Sequence, residues 1–125
     1  MSLESHNIIE LDLTQLEMLS DDDPEFMEQI LEMISEQSPE VIQDMKTQFS
    51  QKEFMNVKKT AHKYKSSVNI LGNPVMTRIL KELEDEATKG EDEGKIGALV
   101  QEFEQVCTSL VQQIDLELAR LREAA

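Results

Sequence analysis

The 125-residue chain has no tryptophan, one tyrosine, four phenylalanines and a single cysteine. With so few aromatic side chains, a core must be built mainly from aliphatic residues and methionine, which favours helices packed on helices. The lone Cys107 excludes an internal disulfide. No apolar run reaches the length of a membrane-spanning helix or of a signal-peptide core. These absences predict a protein of a reducing compartment, the cytoplasm, without a membrane anchor.

Patterns that bind metals or nucleotides are also missing. The sequence contains no HxxxH, ExxH or CxxC spacing, so a zinc or iron site is not expected. The acidic turn Asp21 to Asp23 lacks the loop length and the terminal glutamate of a calcium site, and helix capping explains it better. No glycine-rich phosphate loop is present. The sequence therefore predicts no metal, no cofactor and no transfer of phosphoryl groups from ATP.

Acidic residues are absent from one long stretch, Phe54 to Lys81, although the chain contains 26 of them. The stretch is formally +6 while the whole chain is −14, so the other positions together carry −20. Such an acidic chain is not expected to bind nucleic acid or anionic lipid, because both need a broad cationic surface. The segregation instead predicts one small face that can hold an anion. Its cations are Lys58, Lys59, Lys63, Lys65, Arg78 and Lys81.

Apolar residues at helical spacing predict an all-α protein, and no segment shows sustained strand alternation. A short helix is predicted from Asp12 to about Leu19, with Leu13, Leu16 and Leu19 on one side. Asp23-Pro24 begins a long helix, which we expect to kink at Pro39. Its predicted apolar stripe consists of Phe26, Ile30, Met33, Ile34, Gln37, Val41, Ile42, Met45 and Phe49.

Three more helices are predicted, from about Lys52 to Ile70, Pro74 to Lys89 and Glu93 to Arg122, with Gly72 and Gly90 closing the first two. Short connections make neighbouring helices antiparallel. We therefore expect an up-down antiparallel four-helix bundle over residues 11–125, with a short additional N-terminal helix and a loose tail at residues 1–10. The bundle needs no partner helix, which favours a monomer. The expected buried residues of the last two helices are Val75, Ile79, Leu80, Leu83, Ile96, Leu99, Val100, Phe103, Val106, Cys107, Leu110, Ile114, Leu118 and Leu121.

His62 lies in the middle of the acid-free stretch. On a helical wheel, a polar and cationic set falls within about 60° of it, and an apolar set falls on the far side. His62 should therefore point outward, where a neutral imidazole nitrogen can accept a phosphoryl group. The polar side comprises Met55, Lys58, Lys59, Lys65, Ser66 and Asn69, and the apolar side Val57, Ala61, Tyr64, Val68 and Leu71.

The run Ala61-His62-Lys63-Tyr64-Lys65-Ser66-Ser67-Val68-Asn69-Ile70-Leu71-Gly72, followed by an apolar helix with Leu83-Glu84, resembles the histidine-containing phosphotransfer (Hpt) domain family. The starts at Asp12-Leu13 and Asp23-Pro24-Glu25-Phe26 and the break at Ser38-Pro39-Glu40 also have counterparts in that family. Two positions depart from the family pattern. Tyr64 replaces a leucine, and Ser66 stands where glycine is common.

The resemblance implies a phosphorelay carrier rather than an autonomous enzyme. His62 would take a phosphoryl group from the aspartate of one receiver domain and give it to another, with Lys65 balancing the phosphoryl charge. The implied partners are receiver domains, which supply Mg²⁺, and a hybrid sensor histidine kinase. Glu84 would hydrogen-bond the imidazole. Binding roles are expected for Lys58, Lys59, Ser66, Ser67, Asn69 and Glu84.

Exposed apolar side chains near His62 should join the docking surface, namely Met55 and, from the first helix, Leu16 or Met18. Two other interpretations remain open. One is a helical module that docks receivers without carrying phosphate, and the other is a purely structural bundle. Cys107 lies in the last apolar stripe, which predicts a buried and inert thiol.

Overall fold

The computed structural model describes residues 11–124, which fold into five α-helices without a strand in that range. The predicted all-α fold is confirmed, whereas the predicted loose tail at residues 1–10 lies outside the described residues. A short 3₁₀ turn, Asn69–Leu71, continues the third helix. The helices are α1 (Thr14–Leu19), α2 (Pro24–Ser50), α3 (Phe54–Val68), α4 (Pro74–Lys89) and α5 (Glu93–Ala124).

Local sequence signals set the helix boundaries. The Asp23 side chain accepts a hydrogen bond from the backbone N–H of Glu25 (3.0 Å) and caps α2. Asn73 accepts one from Met76 (2.8 Å) and caps α4. A proline follows each cap as the first residue of its helix. At the other ends, Gly72 and Gly90 adopt the left-handed φ values of 60° and 63° that close a helix.

The four long helices form a closed ring around one apolar core, in which α2 packs on α3 and α5, and α4 packs on the same two helices. Ion pairs from Arg122 to Glu28 (2.8 Å) and from Lys46 to Glu104 (3.2 Å) show that α2 and α5 run antiparallel. The α1 helix covers one end of the ring, where Leu16 is fully buried. This is the predicted bundle with its short N-terminal helix. No helix in the described part of the chain is long and apolar enough to cross a membrane.

The face of α2 that meets the core differs from the prediction. The helix continues through Pro39 as one element, as expected. However, Phe26 and Met33 are 39% and 49% exposed, and the neighbouring stripe is buried instead. Both stripes have helical spacing and share Ile34, Val41 and Met45, so packing against α3 and α5 decides between their other positions. The buried residues of α2 are Met27, Leu31, Ile34, Ser38, Val41 and Met45.

One assignment to the core of α4 is also wrong. Val75 is 41% exposed while Met76 is buried, because the cap at Asn73 fixes where α4 begins and turns Met76 inward. Leu19 is 64% exposed at the end of α1, since this short helix inserts only Leu16 deeply. The stripe predicted for α5 is confirmed, with Val106 partly buried against the core.

Candidate functional site

The outer face of α3 carries the exposed histidine. His62 has 66% of its side chain exposed. The opposite side of the helix is buried as predicted, with Val57, Ala61 and Tyr64 at 0% exposure. The orientation follows from the helical repeat, because apolar residues at the buried positions fix which residues face solvent. His62 is therefore accessible to another molecule.

The neighbouring helix α4 brings a carboxylate to this histidine. Glu84 places Oε1 3.0 Å from His62 Nδ1 and Oε2 2.6 Å from Lys65 Nζ. Only 14% of the Glu84 side chain is exposed, so one half-enclosed carboxylate lies between two potential cations. Lys65 follows His62 by three residues, and the two side chains consequently lie about one helical turn apart on the same face.

The charge on Glu84 defines which imidazole nitrogen carries hydrogen. Partial burial raises the pKa of Glu84, but its close contacts with Lys65 and His62 outweigh this and lower the pKa below its usual value. An ionised carboxylate can only accept hydrogen bonds, so Nδ1 of His62 must be the donor. In the neutral ring, Nε2 then holds the free lone pair. The contact thus orients the ring and selects its nucleophilic nitrogen.

Other cations surround the histidine unevenly. Lys58 and Lys59 line a shallow depression of about 460 Å³ together with His62 and Glu84. Neither of these lysines forms an ion pair with any residue in the range 11–124. Arg78 belongs to the same acid-free stretch but bonds to Glu82 and Glu102, and so it binds α4 to α5. The cationic face is therefore smaller than the sequence count suggests.

Small polar residues lie beyond the histidine along α3. Ser66 is exposed, and its hydroxyl donates to the backbone carbonyl of His62 (3.3 Å). Ser67 is half-buried, and Asn69 is exposed in the 3₁₀ turn. The hydroxyl of Ser66 is thus held against its own helix, which keeps the space beside the imidazole open.

The apolar residues expected near the site divide into exposed and buried ones. Met55 is 53% exposed and Met18 is 77% exposed. Leu16 is fully buried, so its proposed part in a docking surface is wrong. The short α1 helix needs this leucine to anchor it to the end of the bundle.

A second polar cluster, buried on the other side of α3, was not predicted. The Tyr64 hydroxyl lies 2.6 Å from Ser38 Oγ and 3.2 Å from Cys107 Sγ, and Ser38 donates to the carbonyl of Ile34 (2.6 Å). Because Ser38 has one hydroxyl hydrogen and uses it there, Tyr64 must donate to Ser38 and Cys107 must donate to Tyr64. The sequence signal for this cluster was Tyr64, which stands where the family usually has leucine. Nothing in the sequence, however, pairs Tyr64 with Ser38 or Cys107.

The side chains of this inner cluster are inaccessible to a reactant. The burial predicted for Cys107 is confirmed at 0% exposure, and desolvation raises the pKa of its thiol. Desolvation likewise raises the pKa of Tyr64. The Tyr64 ring also meets Phe103 edge to face, with 5.5 Å between the ring centroids. Within residues 11–124 there is no group of three or more His, Cys, Asp or Glu side chains suited to a metal ion.

Comparison with known proteins identifies the family of this chain. The family model of the Hpt domain matches residues 29–124, a range that includes most of α2 and all of α3, α4 and α5. Searches of curated proteins and of solved structures give no significant match. The matched range contains both His62 and Glu84 and covers most of the chain. The chain therefore belongs to the Hpt domain family, whose members transfer phosphoryl groups on histidine in phosphorelays.

Proposed function

We propose that the protein carries a phosphoryl group on His62 Nε2 between receiver-domain aspartates in a multistep phosphorelay. One observation carries the proposal: His62 is 66% exposed while its Nδ1 lies 3.0 Å from the Glu84 carboxylate. This contact directs the lone pair of the neutral ring to Nε2, the nitrogen needed for attack on phosphorus. Membership of the Hpt family gives the chemical class of the transferred group.

The transfer step forms one bond and breaks one. Nε2 of His62 attacks the phosphorus of an aspartyl phosphate, the Nε2–P bond forms, and the bond from phosphorus to the aspartate oxygen breaks. The aspartate leaves as a carboxylate, and the reverse sequence returns the phosphoryl group to another receiver. Lys65 lies on the same face and supplies positive charge for the phosphoryl oxygens. The receiver contributes its own Mg²⁺, so the carrier needs no metal of its own.

In the proposed complex, Lys58 and Lys59 face the acidic pocket of the receiver. Lys58 and Lys59 border the histidine and have no ion-pair partner within residues 11–124, so their charge remains available. Such charges mainly accelerate encounter, and we expect association to weaken as salt is added. Ser66, Ser67 and Asn69 form the small polar surface against which the receiver packs. The proposed partners are receivers and a hybrid sensor histidine kinase of the cytoplasm, and the carrier acts as a monomer.

The decisive experiment tests which histidine becomes labelled. The wild-type chain is incubated with a receiver carrying ³²P on its aspartate, and the chain is then assayed for phosphate that is labile in acid and stable in base. We expect label on wild type and none on His62→Gln, which keeps a polar side chain at an exposed position. His6→Gln is the matched control, since it removes the chain's other histidine, and it should keep the label.

The alternative is a module that docks receivers without accepting phosphate. Binding of a receiver by a folded wild-type chain that takes up no label would support that alternative. Label that persists in His62→Gln would place the phosphoryl group elsewhere and contradict the proposal.

A further inference from the structure

The single carboxylate of Glu84 contacts two side chains, His62 and Lys65. Its Oε1 meets His62 Nδ1 and its Oε2 meets Lys65 Nζ, at 3.0 Å and 2.6 Å. Oε2 is buried, and no donor in the described part of the chain forms a hydrogen bond of good geometry with it. The ammonium of Lys65 is thus what balances this oxygen, through a close ionic contact.

Phosphorylation of His62 changes the charges around this carboxylate. Attack by Nε2 while hydrogen stays on Nδ1 gives a ring substituted on both nitrogens, which is an imidazolium with a formal positive charge. The new phosphoryl group brings negative charge to the face on which Lys65 lies. Lys65 has a long flexible stem and 32% of its side chain exposed, so it can move from one anion to the other.

We propose that Lys65 leaves Glu84 for the phosphoryl group, and that Glu84 then acts as the counter-ion that keeps Nδ1 of the phosphorylated His62 ring protonated. This inference rests on the proposed function and concerns the phosphorylated form of the same site. Glu84 is a positioning residue here, because it never touches the phosphoryl group.

The retained proton matters for the next transfer. When the Nε2–P bond breaks, a ring that still carries hydrogen on Nδ1 leaves as neutral imidazole. A ring without that hydrogen must leave as an imidazolate anion, which is a far poorer leaving group. Glu84 therefore keeps the carrier in the form that can donate to a receiver.

Lysines on α3 and α4 surround the contact between Glu84 and His62. On α3, Lys58, Lys59 and Lys65 share the face of His62, and on α4, Lys81 precedes Glu84 by one turn. Lys58, Lys59 and Lys65 oppose a positive charge on the ring, and Glu84 is the anion that contacts Nδ1. An opposite charge at such a distance shifts a protonation midpoint by about one pH unit or more.

The substitution Glu84→Gln separates charge from hydrogen bonding, because the amide oxygen can still accept from Nδ1. Wild type and variant are loaded from the same phosphorylated receiver and purified. NMR of ³¹P and of ¹⁵N-labelled histidine then gives the pH at which the phosphorylated ring loses its Nδ1 proton. We expect that midpoint to fall by about one unit or more in Glu84→Gln. Transfer to fresh receiver should match wild type at pH below both midpoints and be about tenfold slower between them.

Glu82→Gln is the matched control, because it removes the same charge from α4 at a residue that pairs with Arg78 rather than with His62. It should leave the midpoint near the wild-type value. An equal midpoint in wild type and Glu84→Gln, with both chains labelled, would overturn the inference while the proposed function stands. A wild-type chain that takes no label from any receiver would instead refute the proposed function.

Lys65→Met tests the exchange of partners independently, since it keeps a stem of similar length without the charge. If Lys65 moves to the phosphoryl group, this variant should reach a severalfold lower phosphorylated fraction at equilibrium with the same receiver. An unchanged phosphorylated fraction would mean that Lys65 stays on Glu84, and it would refute the proposed exchange of partners. Circular dichroism and thermal unfolding establish that each variant is folded before it is loaded.

Discussion

The two sides of α3 carry polar clusters that begin only two residues apart, at His62 and Tyr64. The outer cluster joins His62, Glu84 and Lys65 across α3 and α4. The inner cluster joins Tyr64 to one side chain from α2 and one from α5. Each contains three polar side chains from more than one helix. They differ in exposure, and in whether every hydrogen-bonding group is used.

The inner cluster is fully buried, and all of its hydrogen-bond donors are used. Ser38, Tyr64 and Cys107 are all 0% exposed, and each of their hydrogens has one assigned acceptor. The outer cluster is partly exposed, and Nε2 of His62 forms no hydrogen bond or ion pair with any described residue. Two positions apart on one helix, a buried side chain bonds to two other helices and an exposed side chain faces solvent.

The largest effect is expected from closing the open side of the outer cluster. Ser66→Leu places a branched side chain about one turn from His62, on the same face. Transfer between receiver and His62 should fall by roughly a hundredfold, because even small displacements from the reactive geometry are costly. Single-turnover labelling from a phosphorylated receiver measures this.

Thr108→Leu serves as the control for that change. Thr108 is exposed on α5, and its hydroxyl also donates to a carbonyl one turn back, at 2.8 Å from Glu104 O. The control should transfer at the wild-type rate. Normal transfer by a folded Ser66→Leu chain would refute the importance of open access beside the imidazole.

Next in size are changes that break the inner cluster. Ser38→Ala leaves the buried Tyr64 hydroxyl without an acceptor and should lower the free energy of unfolding by about 1–3 kcal/mol. Tyr64→Phe strands only the thiol hydrogen of Cys107, a weak donor, and should cost less. Chemical denaturation compares the two variants. Both should still be labelled on His62.

The order of these two effects tests the direction of the hydrogen bonds. A Tyr64→Phe chain that is clearly less stable than Ser38→Ala would show that Tyr64 donates elsewhere. Loss of labelling in either folded variant would show that the inner cluster also controls the chemistry of the outer one, which would remove the contrast between the two sides.

The smallest expected effect is the loss, in acid, of the stability that the outer cluster contributes to the fold. The pKa of Glu84 in the folded protein lies below its ordinary value of 4.5. Its pairing with Lys65 and His62 therefore adds stability that is fully present above about pH 4.5 and is lost as the pH falls through the lower folded value. The gain should be at most about 1 kcal/mol, because Lys65 is partly exposed.

Denaturation of wild type and Glu84→Gln at a series of pH values measures this contribution. The difference in free energy of unfolding should shrink as the pH falls below about 4.5. A difference that grows in acid would show that the pairing with Lys65 does not stabilise the fold.

The sequence by itself determined the features that depend on near neighbours along the chain. The caps at Asp23 and Asn73 and the helix closures at Gly72 and Gly90 each involve contacts within about one turn. The outward direction of His62 followed equally well, because the buried arc of α3 is unambiguous. The cationic stretch and the family pattern located the candidate site.

Only the tertiary structure decided the features that join distant parts of the chain. Two stripes of α2 had helical spacing, and packing on α3 and α5 selected the one with Met27 and Leu31. The structure alone shows that Glu84 holds Lys65 as well as His62, that Arg78 faces α5, and that Ser38 and Cys107 meet Tyr64. The reason is physical: capping and helical phase are local, whereas the choice of partner among several polar side chains depends on how the helices pack.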